Sequence, residues 1–170
     1  MPKMATKAAD NVFYKARMAA ASWNDRLASR EGASELTGID RTRLANIELG
    51  TVNPHPDEVL MLADIYNAPE LQNHFCSRLC PLGIGTVNPL KVDELEAVVL
   101  QMLSVMRCLP EVKDGIIDIA ADGVIDDNER ERMKGYLRML DEIDNKIQSL
   151  KLLYRKQFQR LSYPQNHKEV

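Results

Sequence analysis

Aromatic residues are scarce in this 170-residue chain, at 5% with a single tryptophan, and no segment alternates apolar and polar residues between hairpin turns. Strands rely on aromatic and β-branched side chains in that alternation, so a sheet-based fold is excluded and an all-α one is expected. The three cysteines are too few and of the wrong parity for a disulfide framework, and they fit a reducing compartment. No apolar run approaches the ~20 residues of a membrane span, and the opening MPKMATKAAD has no apolar core of signal-peptide length. The expected protein is soluble and cytoplasmic. Positive charge is also short, with 22 Lys and Arg against 25 Asp and Glu and a formal net charge of −3. Affinity for a polyanion comes from neutralising phosphates, so any contact with nucleic acid must come from a local cluster of cations. Also missing are a phosphate-cradling glycine loop, a nucleophile with a plausible base and an HExxH metal motif, which leaves no enzyme constellation.

What is abundant favours helices: Ala, Leu, Met, Glu and Arg are frequent. A hydrophobic content of 45% over this length supports a packed core in one domain or two small ones. The chain is organised around SREGASELTGIDRTRLANIELG, Ser29 to Gly50. Ser29 suits the cap of a first helix and Gly38 the left-handed residue that ends it, while Asp40 caps a second helix that Gly50 closes. Ala33, Leu36 and Thr37 fall inside the first helix, Ile39 plugs the turn, and Leu44 and Ile47 form the buried edge of the second. Arg41, Thr42, Arg43 and Asn46 are left facing outward.

The run A-x-x-L-x-G-I-D-R-x-x-L-x-x-I-E-x-G, with a proline following at Pro54 or Pro56, resembles the helix-turn-helix of the Cro and lambda repressor (XRE-type) family of DNA-binding regulators. The likeness covers about residues 11 to 80. It implies a five-helix lambda-repressor-like DNA-binding domain over residues 1–85, followed by a helical region over 86–170 that ends in a long helix. In that family the second motif helix meets base edges in the major groove, and the start of the first contacts a backbone phosphate. Carried onto this chain, Arg41, Thr42, Arg43 and Asn46 are the readers, and Ser29 and Arg30 meet the phosphate, although the family commonly has Gln where Arg30 stands. An Arg pairs bidentately with guanine and an Asn with adenine, each worth about 1–3 kcal/mol of discrimination. The family also pairs an arginine of the first helix with the glutamate at Glu48, for which Arg17 and Arg26 are both candidates. The implied partner is double-stranded DNA with an imperfect palindrome, read by a homodimer, and no cofactor or metal is implied. The alternative is an antitoxin-like or adaptor module whose C-terminal helices bind a protein, with DNA contact secondary.

Elsewhere the pattern is helical too. Residues 1 to 10 are expected to fray, and Asn11 to about Asp25 form a first helix with Val12, Ala16, Ala19, Ala20 and Trp23 on its apolar face, Trp23 anchoring it to the core. Pro56 opens a helix with Asp57 and Glu58 at its positive end and Val59, Leu62, Ala63 and Tyr66 inward. Asn67 and Ala68 break it, and Pro69 starts another through Leu71, Phe75 and Leu79. Pro81 to Pro89 reads as the linker. Leu95, Val98, Val99, Met102, Val105, Met106 and Leu109 mark an apolar helix ended by Pro110, whose face needs a partner. A shorter helix with Val112, Ile116, Ile119 and Ala120 precedes a turn at Asp122 and Gly123. A long charged helix from about Asp127 to Ser162 carries Tyr136, Leu140, Ile143, Ile147, Leu150, Tyr154 and Leu161 at near-heptad spacing, a seam for an intramolecular bundle or for an intermolecular coiled coil, with the dimer expected.

Two segments suggest metal chemistry. Asp118 to Glu129 has the length of an EF-hand calcium loop, with Asp118, Asp122, Gly123, Ile125, Asp126 and Glu129 at fitting positions. Ala120, however, stands where an oxygen ligand is required, so a helix connection capped by Asp126 or Asp127 is expected instead. In HFCSRLC, Cys76 and Cys80 lie one turn apart with His74 close. Zinc asks for four ligands, and a fourth would have to come from Cys108 or His55, so buried thiols are the expectation.

Overall fold

The computed structural model describes residues 8–91, 94–121 and 123–158, and every regular element among them is helical. No helix among the described residues is long and apolar enough to cross a membrane. The chain divides into two compact units, Met1–Pro89 with Arg155–Val170, and Leu90–Tyr154. The division thus falls slightly later than the expected end at residue 85, and the last turn of the terminal helix belongs with the first unit.

The first unit contains α1 (Val12–Ala20), a one-turn 3-10 helix (Asp25–Ala28), α2 (Arg30–Thr37), α3 (Arg41–Leu49), α4 (Pro56–Ile65) and α5 (Glu70–Arg78). Their apolar faces close over one core containing Phe13, Leu27, Leu44, Ile47, Leu62 and Leu71, each such side chain contributing about 1.5–3 kcal/mol by leaving water. The buried stripe of α1 is Phe13, Ala16, Arg17 and Ala20, rotated from the one expected. The helix stops at Ala20, and the Trp23 amide folds back onto the Ala20 carbonyl in a turn. Trp23 therefore leaves the helical register and is 51% exposed, while the fully buried Leu27 takes the anchoring place. Fraying is expected to residue 10, yet Ala8 is buried and its carbonyl accepts from Asn11. Residues 1–7 lie outside the described ones.

The turn between α2 and α3 is closed by short side chains. Gly38 takes φ +70°, the left-handed conformation that glycine adopts without a Cβ clash. The Thr37 hydroxyl donates to the Ala33 carbonyl at 2.8 Å and accepts from the Ile39 amide at 3.2 Å, and Ser34 donates to the Ile39 carbonyl at 2.7 Å. Behind α2 the 3-10 helix approaches so closely that a Cβ on Gly32 would lie 2.1 Å from the Arg26 carbonyl oxygen. Asn67, at φ 49°, ends the run after α4. Lys156, in the last turn of the terminal helix, donates to Glu70 at 2.6 Å.

The second unit contains α6 (Leu95–Met106), α7 (Leu109–Ala120) and most of α8 (Asp127–Phe158). Pro110 does not end α6. It sits in the first turn of α7, where a residue without an amide proton leaves no hydrogen bond unmade, so Leu109 opens the second helix instead of closing the first. Gly115 lets α7 meet α8 closely, since a Cβ there would lie 2.2 Å from the Tyr136 ring. Arg132 pairs with Asp118 at 3.0 Å, and Lys146 donates to Gln101 at 2.7 Å. Val98, Val112, Ile119 and Ile143 are buried. The expected heptad seam is followed only in part: Ile143 is buried, but Ile147 and Tyr154 are exposed while Leu152 and Leu153 are buried. Burial in α8 therefore does not follow a strict 3.5-residue period, the condition for a two-stranded supercoil. Leu161 and Ser162 lie outside the described residues.

Candidate nucleic-acid interface

The supports of α3 are electrostatic as well as apolar. Arg17 on α1 and Glu48 on α3 are 3% and 2% exposed, and they pair through two hydrogen bonds, Nε to Oε1 at 2.5 Å and Nη2 to Oε2 at 3.1 Å. The remaining Arg17 nitrogen donates to the Leu27 and Ala28 carbonyls at 2.8 and 3.1 Å. One guanidinium thus joins α1, the 3-10 helix and α3. Burial pulls the Arg17 pKa down, but the hydrogen bonds and charge of Glu48 outweigh it and the net shift is upward. This settles the choice between Arg17 and Arg26, since Arg26 pairs with Glu35 at the surface. Asn11 adds a second tie: its side-chain oxygen caps α1 and its amide donates to the Ile47 carbonyl at 3.0 Å. Tyr66 is buried beside this network, where desolvation and then the Glu48 charge push its pKa up, and its hydroxyl has no partner among the described residues.

On the outer side, Asp40 caps α3 by accepting from the Thr42 and Arg43 amides. Arg41 and Thr42 are exposed. Arg41 lies 2.5 Å from the Glu31 carboxylate, an exposed pair that exchanges readily with another anion. Arg43 is half-buried rather than fully outward, because Glu58 at the start of α4 holds its guanidinium in a bidentate pair. The other Glu58 duty is to accept from the His55 amide at 2.6 Å, capping α4. The Arg43 hydrogen bond, and behind it the His55 amide, hold the Glu58 carboxyl below the usual carboxylate range against the opposing effect of burial. Asn46 is half-buried, with its carbonyl accepting from the Thr51 amide and, shared with the Ile47 carbonyl, from the Gly50 amide. At the start of α2, Ser29 accepts from the Gly32 amide and Arg30 donates to Glu48 at 2.7 Å. All three arginines of the expected site therefore have carboxylate partners within the first unit.

Spacing alone identified the helix pair and its caps but missed Glu58 and Glu31, whose partners lie in neighbouring helices. The metal candidates are drawn into other work. Asp126 and Glu129 cap α8 reciprocally, each accepting from the other's amide at 2.8 and 3.0 Å, and Asp118 pairs with Arg132. Asp122 lies outside the described residues. His74 stands edge-on to Phe13 at 6.1 Å, its pKa lowered by burial and then by Arg78. Cys76, Cys80 and Cys108 are free and half-buried, and among the described residues no three His, Cys, Asp or Glu side chains group as a metal would require.

None of the protein-family models, curated proteins and solved structures compared with the chain matches it.

Proposed function

We propose that this chain is a sequence-specific DNA-binding transcriptional regulator of the Cro and lambda repressor kind, which sets α3 in the major groove of duplex DNA. The observation that carries the reading is a short helix fixed on its inner side by Leu44, Ile47 and the Arg17–Glu48 pair, with Arg41 and Thr42 exposed at its N-terminal end. A rigid helix with exposed polar side chains at its start is what major-groove recognition uses, and the surface pair of Arg41 with Glu31 is weak enough to yield to DNA. On this reading Arg41, Thr42 and Asn46 meet base edges, Ser29 and Arg30 meet the phosphate backbone, and Arg43 sets the pitch of α3 through Glu58 while offering its remaining nitrogen. Two copies address half-sites about 34 Å apart, or a multiple of that, on an imperfect palindrome. Because each arginine already has a carboxylate partner, nonspecific affinity is low.

The same pairing of cations favours a second reading, the protein-interaction module in which the C-terminal helices hold another protein and DNA contact is secondary. Selection from random duplexes at low salt separates the two. An enriched palindrome supports the regulator, and no enrichment supports the module. Arg41→Ala with Asn46→Ala removes two readers without touching the buried pair, and is expected to lower specific affinity by about 1–3 kcal/mol for each contact with helical content unchanged. Full operator affinity in that variant would remove the site assignment.

A further inference from the structure

The outward side of α6 is apolar where a surface helix is ordinarily polar. Leu100 and Leu103 are 68% and 52% exposed, and Leu95 and Met106 are exposed beside them. A charge of opposite sign stands at each end of this stripe. Glu96 lies in the first turn, and Arg107 caps the last with its backbone still helical. Both are exposed, and neither makes an ion pair among the described residues.

The four positions 96, 100, 103 and 107 are spaced by four, three and four residues, which keeps them on one side of the helix. That spacing is the same read in either direction, and the side chains along it run Glu, Leu, Leu, Arg. We propose that α6 is a self-association face that takes a second copy of this chain in antiparallel register, about a two-fold axis between Leu100 and Leu103. Leu100 then packs on Leu103 of the second copy, and Glu96 meets Arg107 of the second copy at both ends, the reciprocal pattern of an isologous interface. A parallel copy would set Glu96 on Glu96 and Arg107 on Arg107, and like charges at both ends oppose it. A lipid surface is the poorer occupant, because the stripe lacks the cationic flanks that interfacial helices use. The contact is three turns long and its area is at the low end for a specific interface, and with a core of only two leucines per copy the expected dissociation constant is at the weak end, on the order of micromolar. The inference moves the dimer face from α8 to α6, and it rests on the proposed regulator only for the use of the dimer on paired half-sites.

Sedimentation of the full chain without DNA, over a concentration series spanning about two decades around that constant, tests it independently of operator binding. The expected result is a reversible monomer–dimer equilibrium. Leu100→Asp with Leu103→Asp should weaken it more than about 100-fold by burying charge at the centre, with unchanged far-ultraviolet circular dichroism. Glu96→Arg alone and Arg107→Glu alone should each weaken it about tenfold or more, and the two together should return it to within about threefold of the parent. Restoration by the double exchange is specific to antiparallel pairing, because in a parallel pair the exchange only swaps one repulsion for another. A chain that stays monomeric throughout, a dimer indifferent to these four positions, or binding of the same chain to phosphatidylcholine vesicles that the leucine changes abolish would overturn the proposal. An operator selection that fails while the dimer behaves as stated would count against the DNA reading alone.

Discussion

The two units treat their apolar residues in opposite ways. In the first, the helices close over a contiguous core and their polar elements are cross-linked inside it: Arg17 reaches two carbonyls and a carboxylate, Asn11 caps one helix and holds another, and Glu58 caps α4 while gripping α3. In the second, three helices bury few side chains, and more large apolar residues stand exposed than are buried, among them Leu100, Leu103, Ile117 and Leu137. Redundant ties in the first unit suit the proposed DNA-reading role, in which a misplacement of an ångström would remove a base contact. The leucines that the second unit leaves in water are those on which the proposed second copy would pack.

The largest expected effect tests the rigidity of the first unit. Glu48→Ala leaves Arg17 buried without its carboxylate and should destabilise that unit by about 3–5 kcal/mol. The sole tryptophan, Trp23, belongs to the first unit, so its fluorescence follows that unit while circular dichroism follows both. Chemical denaturation of the variant should bring the fluorescence transition to lower denaturant. A coincident midpoint in parent and variant would mean that the buried pair contributes nothing net. Gly32→Ala comes next: its Cβ would meet a backbone oxygen rather than a movable side chain, and the forced shift should cost about 1–3 kcal/mol in the same fluorescence transition. Gly135 of α8 gives the opposite sign. No atom lies within 4 Å of a Cβ built there, so Gly135→Ala should stabilise the second unit by about 0.5–1 kcal/mol through helix propensity, visible by circular dichroism and not by fluorescence.

Much of the first unit was legible in its sequence because punctuation is local. Ser29, Gly38, Asp40 and Gly50 cap the helices they were expected to cap, and α4 buries the stripe that its spacing indicated. Where the reading slipped, the information was either degenerate or distant. Ala19 and Ala20 are neighbours in α1 and alike to any apolar pattern, yet only Ala20 is buried, so spacing could not fix the inner face. The apolar residues of LEAVVLQMLSVM surround α6, so the face expected to be covered holds the buried Val98 together with Leu95 and Met106, which are exposed. Pro110 is compatible both with stopping one helix and with starting the next, and only the position of α7 decides. Arg43 is outward by spacing, and the carboxylate that turns it lies 15 residues away. The apolar steps along α8 approximate a heptad, but which of them is buried depends on α6 and α7, and no period within α8 encodes that.

That distant carboxylate gives the smallest effect, and its sign follows from linkage. Glu58 has a folded pKa below the ordinary value of 4.5, so over the acid range the unfolded chain binds its proton first. Its contribution to stability is therefore fully present above the unfolded pKa, and is lost as pH falls through the lower folded value. Glu58→Gln removes the titration while keeping a group that can accept from the His55 amide. The difference in stability between parent and variant, measured by Trp23 fluorescence in denaturant, should be constant above about pH 5.5, a unit clear of the unfolded pKa, and should shrink as the pH falls through the acid range. Parallel curves over that range would mean that Arg43 gains nothing from Glu58. The arginine would then be as available to DNA as Arg41, and the first unit would owe its rigidity to the Arg17–Glu48 pair and the apolar core alone.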